Sequence, residues 1–164
     1  MSLADIRRVL DIVWNEAKVP SISFTGGEPT KRRDLPDMIE YARSVGLRVN
    51  LITNGTYCDA ALVERLKNAG LNSVQVSIEG TTAERHDALT RVRGSFQKSI
   101  RAVQLFLDAG ITVHTNTTLT RENLDDAPRM PELVKSLGLE RFSMNMMIPA
   151  GTGRRLLLVD GGVE

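Results

Sequence analysis

The chain has 164 residues, 41% hydrophobic and 25% charged, a composition that suits one ordered domain and excludes a disordered chain. Its 21 basic and 20 acidic side chains leave a formal charge of +1, so no global field recruits nucleic acid or anionic lipid, and a small-molecule ligand is expected. The single cysteine, Cys58, excludes an internal disulfide and any iron–sulfur or metal site built from several cysteines of this chain; with no apolar stretch near the roughly 20 residues of a membrane span, a cytoplasmic location is expected.

Leu3, Ile6, Leu10, Val13 and Trp14 recur at helical spacing and predict an amphipathic helix ending before Pro20. Beyond it, the apolar patterns predict strands near 21–25, 47–52, 73–78, 111–118 and 141–147, and helices near 35–45, 59–69, 95–109 and 124–137. Gly46, Gly70, Gly110 and Gly138 each follow a helical stretch, as a left-handed C-cap would. Alternating strands and helices with short loops imply a parallel sheet whose ligands gather at the carboxyl ends of the strands. A doubly wound open sheet and a partial barrel both satisfy the pattern, and the chain is short for a complete eight-unit barrel of roughly 200–250 residues. Residues 1–164 read as one domain, with a loose tail at about 154–164.

The predicted strand ends are small and polar. The first closes in Thr25-Gly26-Gly27-Glu28-Pro29, where two glycines expose bare backbone and a carboxylate stands ready for an ammonium group. The alternative is a strand-to-helix turn with Glu28 in the first helical turn, favoured by the dipole. The later ends read Thr53-Asn54-Gly55-Thr56, Ser77-Ile78-Glu79-Gly80, Thr115-Asn116-Thr117-Thr118 and Met144-Asn145-Met146. Thr53 and Asn54 could bond a ligand or cap a loop.

These motifs, followed by His86-Asp87 and the Arg91, Arg93, Gly94, Ser95, Phe96 region, make the chain resemble the radical S-adenosylmethionine (SAM) superfamily, and within it the SPASM-associated branch. The resemblance runs from about residue 20 to about residue 153. It implies an α/β fold, a partial (β/α) TIM-like barrel of about five parallel strands with helices outside. It also implies a SAM site in which Gly26, Gly27 and Glu28, with Pro29 fixing the exit, hold the methionine ammonium group, and Thr53 and Asn54 lie beside it. Ser77 and Glu79 would face the ribose or methionine portion, where many relatives carry Asp in place of Glu79. Arg91 or Arg93 would pair with the methionine carboxylate, and Asn116 and Asn145, with the Pro149–Gly153 stretch, would lie near the adenine.

The family holds a 4Fe-4S cluster on a Cys-x-x-x-Cys-x-x-Cys loop that this chain does not contain, so its expected catalytic and metal-binding residues are none. The implied parent is an oxidoreductase that reductively cleaves SAM to a 5′-deoxyadenosyl radical, acting on a peptide or cofactor precursor, with this chain inactive alone. The order of the surviving motifs favours a cluster loop upstream of residue 1 over natural loss. A cluster-free nucleotide- or partner-binding module, and a barrel hydrolase or lyase using Glu28 and Glu79, are the alternatives. An open sheet edge beside residues 21–25 would favour dimers.

The remaining candidates have plainer readings: His86 a structural residue on the loop after the third strand, His114 facing a polar neighbour in its strand, and Lys31-Arg32-Arg33 a solvated loop. Met144, Met146 and Met147 read as core or pocket lining, and Cys58 as a small buried side chain.

Overall fold

Helix α1, Leu3–Asn15, opens with a reciprocal capping box, the Asp5 amide donating to Ser2 Oγ at 3.2 Å and the Ser2 amide to Asp5 Oδ2 at 2.9 Å. The computed structural model describes residues 1–148; the expected tail at about 154–164 and the Pro149–Gly153 stretch lie outside the described residues. Strand β1 follows at Ser21–Phe24, then a 3₁₀ turn Pro29–Lys31, α2 Leu35–Ser44, β2 Arg48–Thr53, α3 Ala60–Asn68 and β3 Ser73–Ser77. Next come α4 Ala83–Thr90, α5 Ser95–Asp108, β4 Thr112–Leu119, a 3₁₀ segment Leu124–Arg129, α6 Met130–Ser136 and β5 Phe142–Met146.

All four strand pairs are parallel and the sheet order is β1-β2-β3-β4-β5. A doubly wound sheet reverses direction at a switch point, whereas an unreversed order is that of a barrel. The five strands with their helices are therefore part of a TIM-like α/β barrel, as expected. Gly46, Gly70, Gly110 and Gly138 all adopt positive φ at the helix C-termini, matching the sequence reading.

The core lies on one face of the sheet. Val49, Leu51, Val74, Val76 and Val113 alternate inward from β2, β3 and β4 and meet Leu35, Ile39, Leu66, Val103 and Phe106 from the helices. The other face is polar and half-exposed. Along it Asn50 Nδ2 donates to Ser23 Oγ at 3.3 Å, Ser73 Oγ donates to Asn50 Oδ1 at 2.9 Å, and His114 Nε2 meets Gln75 Oε1 at 3.2 Å.

Three expectations are corrected. The helix near 124–137 is a 3₁₀ segment followed by α6, because Pro128 and Pro131 lack the N–H groups that a continuous α-helix would bond. The loop assigned to His86 is helix α4, N-capped by Thr82, whose Oγ1 accepts the Arg85 amide at 3.3 Å. Met144 and Met146 are not core: they are 36% and 69% exposed on β5.

Candidate SAM site at the strand ends

At the end of β1, Gly26 holds φ at +145°, a conformation L side chains rarely adopt, and no heavy atom lies within 4 Å of a Cβ built on Gly26 or Gly27. The backbone there faces open space. Glu28 then N-caps the 3₁₀ turn, its Oε1 accepting the Thr30 amide at 3.0 Å, the Thr30 hydroxyl, and the Thr53 hydroxyl at 2.7 Å. Its Oε2 accepts the Asn54 amide at 2.8 Å. Four donors of the chain thus engage a group with about four acceptor positions, three of them at Oε1, so the capacity left over is at Oε2. Pro29 is buried behind it.

Thr53 is 2% exposed and also accepts the Gly55 amide at 3.0 Å, so its hydroxyl is used inside the protein. Asn54 caps its own turn through Oδ1, which accepts the Thr56 amide at 2.9 Å and hydroxyl at 2.7 Å, while its carbonyl accepts from Ser99 Oγ at 2.7 Å. The capping reading holds for both side chains, and Asn54 lines a cavity as well.

That cavity, of about 350 Å³, opens where β2 and β3 end and is lined by Asn54, Thr56, Ser77, Glu79, His86 and Lys31, among others. Burial pushes the Glu79 carboxyl above its ordinary pKa, against the opposing bond from the Thr118 amide, which donates to Oε2 at 2.8 Å. Its backbone is held too: the Glu79 N–H donates to His86 Nδ1 at 3.0 Å, and its carbonyl accepts from Asn123 Nδ2 at 2.9 Å. Two residues on, the Thr81 amide and hydroxyl each donate to Asp126 at 2.6 Å. Burial alone would raise the Asp126 pKa, but the Thr81 bonds and the charges of Arg129 and Arg85 outweigh it and hold the carboxyl below its usual range. Gly80 sits where nothing larger fits, since a Cβ would lie 2.7 Å from Arg85 Cβ and 3.0 Å from the His86 amide.

Lys31 is exposed, as the solvated-loop reading expects, but that reading did not foresee its place beside the cavity. Its Nζ lies 4.9 Å over the ring of Tyr57, and both residues line the cavity, whereas Arg32 turns away to pair with Asp34 at 2.7 Å. Arg91, in the left-handed region at φ +56°, caps the end of α4, and Val92 between the two arginines lines the cavity where Arg91 and Arg93 do not. Asn116 and Asn145 meet elsewhere, on the open face of the sheet. Asn116 Oδ1 accepts from Asn145 Nδ2 at 2.7 Å and from Ser143 Oγ at 2.8 Å.

Cys58 is partly buried, and its thiol is pushed up to about 12, by burial first and then by the charge of Glu28, the reverse of an activated thiolate. Among the described residues no group of three or more His, Cys, Asp or Glu side chains could hold a metal ion, and no helix is long and apolar enough to cross a membrane.

The family model of the radical SAM superfamily matches residues 1–146. The chain belongs to the radical SAM superfamily. Its relatives include SPASM-associated enzymes, the heme synthase and PqqA cyclase among them. It is 33% identical to the AdoMet-dependent heme synthase of Oleidesulfovibrio alaskensis over 156 residues, covering 95% of this chain and 40% of that protein. It is likewise 33% identical to the PqqA peptide cyclase of Granulibacter bethesdensis over 126 residues, covering 77% of this chain and 34% of that one. The chain therefore spans two fifths or less of the length of these two curated relatives. In fold it is similar to Streptococcus suis SuiB bound to S-adenosylmethionine, with a TM-score of 0.79 at 19% identity over 93% of this chain and 35% of that one.

Proposed function

We propose that this chain forms the SAM-holding part of the catalytic barrel of a radical SAM oxidoreductase. What carries the reading is convergence: the motifs of three successive strands deliver bare backbone at Gly26 and Gly27, and polar groups at Asn54, Ser77 and Glu79, to the same end of a parallel sheet. The open backbone of Gly26 and Gly27, with the Oε2 atom of Glu28, suits an ammonium group. Ser77 offers a hydroxyl, and Glu79 a half-buried carboxyl, to the ribose or methionine portion. Lys31, on the cavity wall, supplies the positive charge that a ligand carboxylate needs, a role the exposed Arg91 or Arg93 would take only from outside the lining.

When bound beside a reduced iron–sulfur cluster, S-adenosylmethionine supplies the chemistry of hydrogen-atom abstraction. The cluster does not fit this chain, whose one cysteine is partly buried and strongly protonated, so its thiolate ligands belong to other parts of the parent protein. The task of these residues is to bind and orient, and the chain alone is expected to be inactive. By likeness to the peptide cyclase and the heme synthase, the parent's substrate is a peptide or a cofactor precursor. The carboxylate-pair reading is weaker, because protein donors already engage Glu28 on both of its oxygens. A cluster-free binding module would use the same strand-end cleft.

The test uses the complete reading frame that contains this chain, reconstituted anaerobically with iron and sulfide and supplied with SAM and dithionite. Production of 5′-deoxyadenosine that vanishes when its cysteines are replaced supports the reading. No iron uptake and no 5′-deoxyadenosine would leave the cluster-free module.

A further inference from the structure

His86 is 2% exposed, yet it forms part of the cavity wall. Its Nδ1 accepts the Glu79 backbone N–H at 3.0 Å, and a ring nitrogen that accepts carries no proton. In the neutral ring the proton must then sit on Nε2. Burial holds the pKa of His86 below its ordinary value, with the adjacent Asp87 charge opposing, so the neutral ring is the form present near neutral pH. Phe96 meets the imidazole edge to face, with centroids 5.6 Å apart and planes at 64°, which fixes the ring's rotation. The Nε2–H finds no acceptor among the described residues, and it is not sealed in, since the described chain leaves a single buried side-chain polar atom unpartnered, Thr115 Oγ1.

We infer that His86 is a tautomer-locked donor: the Glu79 amide holds Nδ1 so that Nε2–H is presented to an oxygen acceptor of the ligand in the strand-end cavity, and the same bond positions Glu79. The inference rests on the SAM reading above and names the contact within it. Two oxygen sources share this chemistry, the methionine carboxylate and the ribose hydroxyls. A protonated imidazole could not accept from the Glu79 amide, so this site uses a neutral donor in place of a salt bridge.

The test separates the two ring nitrogens. In H86N the carboxamide oxygen stands in for Nδ1 and nothing replaces Nε2; in H86Q a donor reaches towards the Nε2 position and the Nδ1 acceptor is lost. Long-range proton–nitrogen NMR on the chain should show the Nε2–H tautomer, with the Nε2 resonance moving when SAM is added. Calorimetry should show H86N losing roughly tenfold or more in SAM affinity while keeping its fold, with H86Q recovering part of that loss. A loss shared by 5′-methylthioadenosine assigns the ribose, and one confined to SAM and S-adenosylhomocysteine assigns the carboxylate. An Nδ1–H tautomer, an Nε2 resonance indifferent to bound SAM, or H86N binding SAM as the parent does would overturn the inference. An Nε2–H tautomer in a chain that binds no adenosyl ligand would overturn the SAM reading, and the ligand contact with it, while leaving the ring geometry established.

Discussion

Glu28 Oε1 accepts the Thr53 hydroxyl at 2.7 Å, a contact that joins the ends of β1 and β2 across 25 residues of sequence. With the Asn54 amide on the other oxygen, one carboxylate sets the spacing of two strand ends. The motif that looks most like a ligand grip is thus also a structural clasp, and the two roles need separate measurements.

Glu28→Ala leaves the buried Thr53 hydroxyl and the Asn54 amide without their acceptor, at a cost of roughly 1–3 kcal/mol. For a chain of this size that lowers Tm by roughly 3–10 °C, read by calorimetry. A loss of SAM binding in this variant is therefore informative only beside its Tm. An unchanged Tm would show that the clasp does not hold in solution.

Gly80→Ala drives a methyl group to within 2.7 Å of Arg85 Cβ and 3.0 Å of the His86 amide. The backbone must shift, at a cost of about 1–3 kcal/mol, and the bond from Glu79 to His86 is the first to lengthen. The expected signature is weaker SAM binding together with a displaced His86 Nδ1 resonance. A variant matching the parent in both would mean that this loop is not held tightly.

Much of this was legible in the sequence, because the strands announce themselves by alternation and the helix ends by glycine. Gly46 and Gly110 mark their helix ends within one or two residues. Helix α4 was not legible, since the one side chain it buries fully is a histidine and no apolar stripe runs along it. The polar ladder of Ser23, Asn50 and Ser73 was hidden for another reason. Those residues become neighbours only through strand register, which pairs Ser23 with Asn50 and Asn50 with Ser73. Lys31 is exposed, as a member of a basic run is expected to be, and only the fold brings it beside the cavity. Arg91 and Arg93 were named for the right loop, but Val92, itself 49% exposed, is the residue that borders the cavity.

Asp87 caps α5, accepting the Gly94 amide at 2.5 Å, the Phe96 amide at 2.9 Å and the Ser95 hydroxyl at 3.0 Å. Bonds from the Phe96 and Gly94 amides, foremost, hold its carboxyl below the usual range. A depressed carboxyl contributes stability that is fully present above the unfolded pKa, near pH 4, and is lost as pH falls through the folded value. Asp87→Asn should therefore flatten the fall in urea midpoint below about pH 4. An undiminished slope would remove Asp87 from the acid response.

Cys58, with its thiol pushed up to about 12, should react slowly with Ellman's reagent at pH 8 and rapidly in guanidinium. The sign follows from linkage. The folded thiol stays protonated where the unfolded one ionises above about pH 8.5, so this group destabilises the fold as pH rises through that window. Fast labelling of the folded chain would contradict the burial.

Strand β1 pairs only with β2 among the described residues, which leaves its outer side open. Self-association through that edge is expected at high concentration, and Ser21→Lys, at an exposed position of the strand, should suppress it. Light scattering from a clean monomer across the concentration range would dismiss the edge as an interface.

The central claim is that the carboxyl ends of β1, β2 and β3 bind SAM, and the most direct measurement is a titration of the chain with SAM followed by amide NMR. The account predicts saturable shifts concentrated at Gly26, Gly27, Asn54, Ser77 and Glu79. An absence of saturable shifts at millimolar SAM, or shifts centred at the opposite end of the sheet around Arg48, Thr112 and Arg141, would contradict it.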